Sequence, residues 1–61
     1  MDNHKREEYE KLLVRLTKEA KLSPPNTDTL SDYELLSRIN VCLLKLNCIP
    51  MDNDELERYL N

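Results

Sequence analysis

Apolar residues recur at helical spacing along three stretches of the chain. In the first stretch the spacing i, i+3, i+4, i+7, i+11 places one set of side chains on a single helix face, and only Val14 falls outside it. This pattern predicts a helix over residues 4–22, which Asp2 or Asn3 can cap at its start. The predicted core residues of this helix are Tyr9, Leu12, Leu13, Leu16 and Ala20.

The second stretch begins with the clearest local signal in the sequence. Ser31 followed by Glu34 forms a capping box, and Leu30 and Leu35 occupy the two positions that pack across such a helix start. This signal predicts a helix over residues 32–47. At 100° per residue its core face falls within an arc of about 120° and comprises Leu35, Leu36, Ile39, Cys42, Leu43 and Leu46.

The third stretch repeats the same signal close to the end of the chain. Asp52 can cap a helix and Glu55 can close the box, with Met51 and Leu56 at the flanking apolar positions. We therefore predict a helix over residues 53–60. Because two turns are too short to be helical alone, this helix must dock on the other helices or on a partner. Its predicted apolar face is Leu56, Tyr59 and Leu60.

Proline separates the first two helices. Pro24 and Pro25 disfavour helical backbone in the residues that precede them, which predicts a loop over residues 23–30. The pattern as a whole predicts an all-α fold: a small bundle of two main antiparallel helices plus a short third, C-terminal helix, forming a single domain over residues 1–61. Because the chain contains no glycine, we expect proline to end the helices, without any residue in the left-handed conformation.

Composition removes several classes of function. A chain of 61 residues has a small core and no room for a deep pocket between two lobes. Without glycine it cannot form a phosphate-cradling loop. The net charge is −3, with +1 over residues 1–22 and −4 over residues 23–61. Nucleic-acid binding needs clustered cations, so we expect no nucleic-acid partner.

Candidate chemistry is sparse. The single histidine, His4, lies at a polar terminus, away from any nucleophile that it could activate. Two cysteines and one histidine fall short of the four ligands of a structural zinc site. Asp52-Asn53-Asp54 resembles the opening of a calcium loop, but Glu57 stands where that loop needs glycine. We expect no enzymatic activity, no catalytic residues, no cofactor and no metal.

No stretch of the sequence resembles a targeting or membrane segment. The chain begins with polar residues, and no apolar run reaches the length of a membrane span or of a signal-peptide core. We therefore expect a complete small cytoplasmic protein without membrane association. In that compartment Cys42 and Cys48 are reduced thiols.

Apolar residues outside the core faces are the candidate binding surface. Tyr33, Val41 and Leu44 lie on the side of the second helix opposite its core face, and Val14 lies on the outer side of the first. Two interpretations remain open at this point: either the third helix covers these residues, or they contact a partner or a second copy of the chain. The acidic residues between Asp52 and Glu57 offer a third, weaker interpretation as a mimic of nucleic acid.

The stretch Leu30-Ser31-Asp32-Tyr33-Glu34-Leu35-Leu36, followed by Leu46-Asn47, resembles small sporulation-control proteins of spore-forming bacteria. Two such families are short helical hairpins that act on two-component signalling. One inhibits a sensor histidine kinase and has a Leu-Ser-Asp-Glu-Leu-Leu-like helix start, against which Tyr33 is an insertion. The other dephosphorylates a response regulator and is marked by Ser-Gln-Glu-Leu-Asp; Leu36 stands here where that family has its working aspartate. The resemblance therefore does not carry phosphatase chemistry over to this chain.

These observations favour a binding protein over an enzyme. We expect a small bacterial or phage regulator that binds a larger protein, and inhibits or modulates it, through Tyr33, Val41, Leu44 and Val14. A homodimer is a further expectation, since a dimer buries apolar surface that so small a core leaves exposed. The alternatives are a modulator of two-component phosphoryl signalling and an acidic DNA mimic.

Overall fold

The computed structural model describes residues 2–60, apart from the side chain of Tyr59. The chain forms α1 (Asn3–Glu19), a short 3₁₀ helix (Thr27–Thr29), α2 (Asp32–Lys45) and α3 (Asn53–Leu60). Residues 2–60 contain no strand, so the predicted all-α fold with two main helices and a short third is confirmed. The bounds of α3 match the predicted 53–60. However, α1 and α2 end three and two residues before the predicted ends at 22 and 47.

The predicted helix starts are present. The Asp2 carboxylate accepts a hydrogen bond from the Lys5 backbone N–H at 2.8 Å, which settles the first N-cap. Ser31 and Glu34 form the complete capping box, each side chain accepting from the backbone N–H of the other. At α3 the Asp52 carboxylate accepts from the Glu55 backbone N–H at 2.8 Å. Local sequence therefore determines where each helix begins.

The helix ends differ from the prediction, because α1 and α2 both stop at a residue with left-handed backbone. Lys21 and Asn47 each have φ of 60°. The next residue donates its N–H back to a carbonyl five residues earlier, Leu22 to Thr17 and Cys48 to Leu43, each at 2.8 Å. This is the Schellman motif, which is usually built with glycine at the left-handed position. The expectation that proline alone ends these helices was wrong, since the carbonyls of a last helical turn need partners whatever follows them.

The two long helices run in the same direction, whereas the sequence analysis predicted an antiparallel pair. The guanidinium of Arg6, near the start of α1, contacts the carboxylate of Asp32 at the start of α2. Toward the other end, Thr17 of α1 and Cys42 of α2 line the same groove. Antiparallel packing would instead bring the start of each helix to the end of the other.

The segment between the helices explains this direction. Because α1 ends at Glu19 and α2 begins at Asp32, residues 20–31 connect the two helices, and we call them the return segment. Their fully extended length of about 40 Å exceeds the length of α1, about 25 Å, so they can lead the chain back to the level at which α1 begins. The segment passes alongside α1, with Thr27 beside Glu10 and Val14. The prediction of an antiparallel pair assumed a shorter loop.

The core lies between α1, α2 and the end of the return segment. Its buried side chains come from both predicted helix faces and from Leu30. Thr17 is the exception among them: it lies on the core face of α1, and its hydroxyl donates to the Val14 carbonyl oxygen at 2.9 Å, which satisfies the buried polar group. The buried apolar residues are Leu13, Leu16, Leu30, Leu35, Leu36, Ile39 and Cys42.

The short helix α3 covers one flank of this core. Met51, Leu56 and Leu60 are half-buried and pack against it. Two hydrogen bonds between the Asn40 side chain and the backbone of Met51 attach the chain to α2 just before α3 begins. Docking therefore accounts for an element that is too short to be helical alone, as predicted from its length.

Candidate functional site

Three large apolar side chains of α2 project into solvent. Tyr33 is 60% exposed, Val41 49% and Leu44 60%. At about 100° per residue these positions fall within an arc of about 80°, on the side of α2 opposite its core face. We call these three residues the α2 stripe. Single exposed apolar residues are common on protein surfaces, but three on one helix face are not explained by chance exposure alone.

The position of α3 leaves the α2 stripe uncovered. Asn40 holds Met51, so the chain that leads into α3 lies beside the stripe and not over it. The interpretation in which the third helix buries Tyr33, Val41 and Leu44 is therefore wrong. Of the stripe residues Tyr33 lies nearest Asn40, about 20° away around the helix, and Leu44 is about 40° away.

Val14 is also exposed but belongs to a different surface. It lies with Glu10, Lys11 and Thr27, where the return segment passes α1. Tyr33 and Val41 instead line one shallow groove together with Arg38. The structure therefore brings together the predicted binding residues of α2 and separates Val14 from them.

A second groove adjoins the α2 stripe at Val41. Its rim consists of Leu22 and Pro25 from the return segment and Arg38 and Val41 from α2, while Thr17 and Cys42 form its floor. Its volume is about 140 Å³, enough for one apolar side chain but not for a larger ligand. We call it the Arg38 groove. The groove exists because the Schellman turn at Lys21 leads Leu22 out over α2.

The two cysteines have different environments. Burial in the core raises the pKa of the Cys42 thiol, and the nearby Lys45 ammonium opposes this with a smaller effect. Cys48 is exposed, and its Sγ lies 3.7 Å from the Leu46 carbonyl oxygen. Both are free thiols. A buried neutral thiol acts as a small apolar side chain and is a poor nucleophile.

The remaining candidate chemistry is dispersed over the surface. The imidazole of His4 lies 3.3 Å from the carboxylate of Glu8, one turn further along α1, and both side chains are exposed. Among residues 2–60 no group of three or more histidine, cysteine, aspartate or glutamate side chains is placed to hold a metal ion.

Sequence analysis missed three residues that shape these surfaces. Arg6 ties α1 to the return segment and to α2, and Asn40 holds Met51. For Arg6 and Asn40 the only sequence signal was a polar residue next to a predicted core face. Ile49, between α2 and α3, is 92% exposed, and it directly precedes Pro50, where helical backbone is disfavoured.

No protein-family model, curated protein sequence or solved structure matches this chain. Within the described part of the chain, every helix is too short or too polar to cross a lipid bilayer.

Proposed function

We propose that this chain is a small non-enzymatic regulator that binds a larger protein through the α2 stripe. The observation that carries the proposal is the exposure of Tyr33, Val41 and Leu44 together on one face of α2. An exposed apolar stripe on a helix is the element that lies in an apolar groove when one protein recognises another by a helix. Regulation, by inhibition or modulation of the partner, and a cytoplasmic location are parts of the same proposal.

The chemistry of the three side chains supports this role. Tyrosine combines a large apolar ring with a hydroxyl, loses little rotamer entropy on binding, and is enriched among the residues that dominate binding energy. Val41 and Leu44 lie about two and three turns further along α2 and extend the apolar surface. Burial of this surface against a partner gains about 25 cal/mol for each Å² of apolar area removed from water.

The rigidity of α2 adds to the affinity that such a surface can reach. The helix has a complete capping box at its start and a Schellman motif at its end, and its opposite face is buried in the core. The stripe is therefore ordered before it meets a partner, so little conformational entropy is lost on binding.

Photo-crosslinking tests the proposal. We place benzoylphenylalanine at Ser37, between Tyr33 and Val41 on α2, and in a separate variant at Glu19, an exposed position of α1. After irradiation of cells that express the chain, we expect discrete adducts with another protein from position 37 and not from position 19. Equal adducts from both positions, or none from position 37, would contradict the proposal.

Substitutions within the stripe complete the test. Tyr33→Asp and Leu44→Asp place a charge on the stripe, and we expect each to abolish the adduct from position 37. Val14→Asp is the matched control, because Val14 is similarly exposed but lies on another surface. Helicity measured by circular dichroism must stay unchanged in all three variants. A loss of helicity in the Tyr33 or Leu44 variant would show that these residues stabilise the fold rather than bind.

A further inference from the structure

The Arg38 groove combines an apolar rim with a cation. Its apolar walls are Leu22, Pro25 and Val41, and the exposed Arg38 side chain also lines it. Among residues 2–60 no carboxylate lies within ion-pair distance of Arg38. The nearest acidic residue along α2, Glu34, is instead committed to the capping box with Ser31.

One further cation lies near the groove. Lys45 lies two turns after Arg38 on the same face of α2, and its charge acts on Cys42 at the groove floor. Residues 35–51 contain no acidic residue. Arg38 and Lys45 therefore bring positive charge to this part of the surface, against the single carboxylate of Glu34 one turn before Arg38, although the chain as a whole carries −3.

Apart from Glu34, which lines the adjoining groove with Arg38 and Val41, the acidic residues of α3 and Glu19 of α1 lie elsewhere. Asn40 marks the side of α2 on which the chain enters α3, and at about 100° per residue it is about 160° from Arg38 around the helix. The aspartates and glutamates at the start of α3 are thus on the far side of α2. Glu19 lies about 160° around α1 from Thr17, which faces the groove.

We propose that the Arg38 groove binds an acidic amphipathic segment of a partner protein, with one apolar side chain between Leu22, Pro25 and Val41 and a carboxylate on Arg38. This inference rests on the proposed function and names the chemistry of the partner. Since Val41 belongs to both the groove and the α2 stripe, one bound segment can contact both. We assign the occupant to another protein rather than to a second copy, because a symmetric pair formed groove against groove would place the two Arg38 side chains side by side.

The guanidinium makes the recognition selective. Arginine presents a planar set of N–H donors that bind a carboxylate through two parallel hydrogen bonds. Next to apolar walls such a pair is shielded from water, so the interaction is stronger than on an open surface. A segment with lysine in place of the acid would leave two cations side by side.

Two synthetic peptides test the inference directly. Both are helical, with leucines at i, i+4 and i+7; one carries glutamates beside the leucines and the other carries lysines at the same positions. Each is titrated into the full ¹⁵N-labelled chain and followed by NMR. We expect the glutamate peptide to shift the amides of Leu22, Arg38 and Val41, with an affinity at least ten times that of the lysine peptide. Arg38→Glu should reverse this preference, and Lys5→Glu, at an exposed site near the start of α1, should leave it unchanged.

Several outcomes would overturn the inference. These are equal affinity for the two peptides, a preference for lysine, no shift at millimolar glutamate peptide, or shifts confined to other surfaces. Concentration-dependent shifts of the groove without any peptide would assign it to a second copy of the chain. Adducts from position 37 in the crosslinking experiment would still support protein binding in each of these cases, so the two proposals fail separately.

Discussion

The side-chain amide of Asn40 pairs with the backbone of Met51 through two hydrogen bonds. Its Nδ2 donates to the Met51 carbonyl oxygen at 3.0 Å, and its Oδ1 accepts from the Met51 N–H at 2.9 Å. One side chain of α2 thereby satisfies both backbone groups of the residue just before the cap of α3. This pairing fixes the point at which the third helix joins the other two.

Asn40→Ala should loosen α3 more than the rest of the molecule. The substitution leaves two half-buried backbone groups of Met51 without their partner, which costs about 2 kcal/mol of unfolding free energy. Hydrogen exchange should accelerate first in the amides of α3, and urea denaturation measures the total loss. Ser37→Ala, one turn away on α2, is the control and should cost less than about 0.5 kcal/mol. Uniform acceleration across all three helices would contradict the local role of Asn40.

Arg6 should be among the most sensitive positions outside the core. Its guanidinium donates to the Asp32 carboxylate and to the carbonyl oxygens of Thr27 and Leu30, and its side chain is only 22% exposed. Arg6→Ala should lower the free energy of unfolding by about 2 kcal/mol. This value is smaller than for a fully buried guanidinium, because water still reaches the group and screens its charge.

Arg6→Lys separates charge from geometry. A lysine ammonium keeps the charge but cannot reproduce the planar fork that meets three acceptors, so it should recover less than half of the loss. Thermal unfolding of both variants measures this, with Lys5→Ala at the exposed neighbouring position as the control. Full recovery by lysine would show that charge alone matters at this position.

Lys21→Gly should stabilise the protein. Lys21 adopts a left-handed backbone with φ of 60°, which costs a residue with a Cβ atom about 1 kcal/mol relative to glycine. Asn47→Gly should gain less, because asparagine tolerates this conformation better than lysine does. Lys18→Gly, inside α1, should instead lose about 1 kcal/mol. Chemical denaturation of the three variants gives the order directly, and a destabilised Lys21→Gly variant would contradict the assignment.

Alkaline pH should weaken the fold through Cys42. Burial raises the pKa of its thiol above the ordinary value of 9.0, and Lys45 offsets this only in part. The contribution of the protonated Cys42 thiol to the free energy of unfolding is fully present below the pKa that this thiol has in the unfolded chain. It is lost as the pH rises from that value through the higher pKa of the folded protein, because the unfolded state releases the proton first. Melting temperatures of the wild type should therefore fall more steeply above pH 9 than those of Cys42→Ala. Parallel curves for the two proteins would contradict this.

The same burial predicts the order of alkylation. Iodoacetamide should label the exposed Cys48 in the folded protein, and Cys42 only as the protein unfolds. Mass spectrometry of peptides after timed labelling separates the two sites. Rapid labelling of Cys42 in the folded state would show that the core opens locally around it.

Helix starts and core faces could be predicted from the sequence because their causes are local. The Ser31–Glu34 box and the Asp52 cap each depend on residues within one turn, and the spacing of leucines identifies the buried faces of α1 and α2. The ends of the helices were harder to predict from the sequence. Lys21 and Asn47 carry no signal comparable to glycine, and their left-handed backbone follows from the need to satisfy the last carbonyls of each helix.

The direction of α2 could not be predicted, because it depends on contacts between distant residues. Nothing near Arg6 in the sequence indicates that it will meet Thr27, Leu30 and Asp32. The α2 stripe was predicted as a face, but whether α3 covers it depends on the Asn40–Met51 pairing. The Arg38 groove was missed for the same reason, since its two walls come from segments that are far apart in the chain.

The parallel arrangement of α1 and α2 also bears on how the chain folds. The hydrogen bonds that tie Arg6 to the return segment and to α2 close loops of 21, 24 and 26 residues. An antiparallel helical hairpin would begin with contacts close to its turn and extend them one turn at a time. Here the entropy of closing a long loop is lost before the first of these contacts can form, because no shorter closure precedes it. Folding should accordingly be slower than in helical hairpins of equal size and stability.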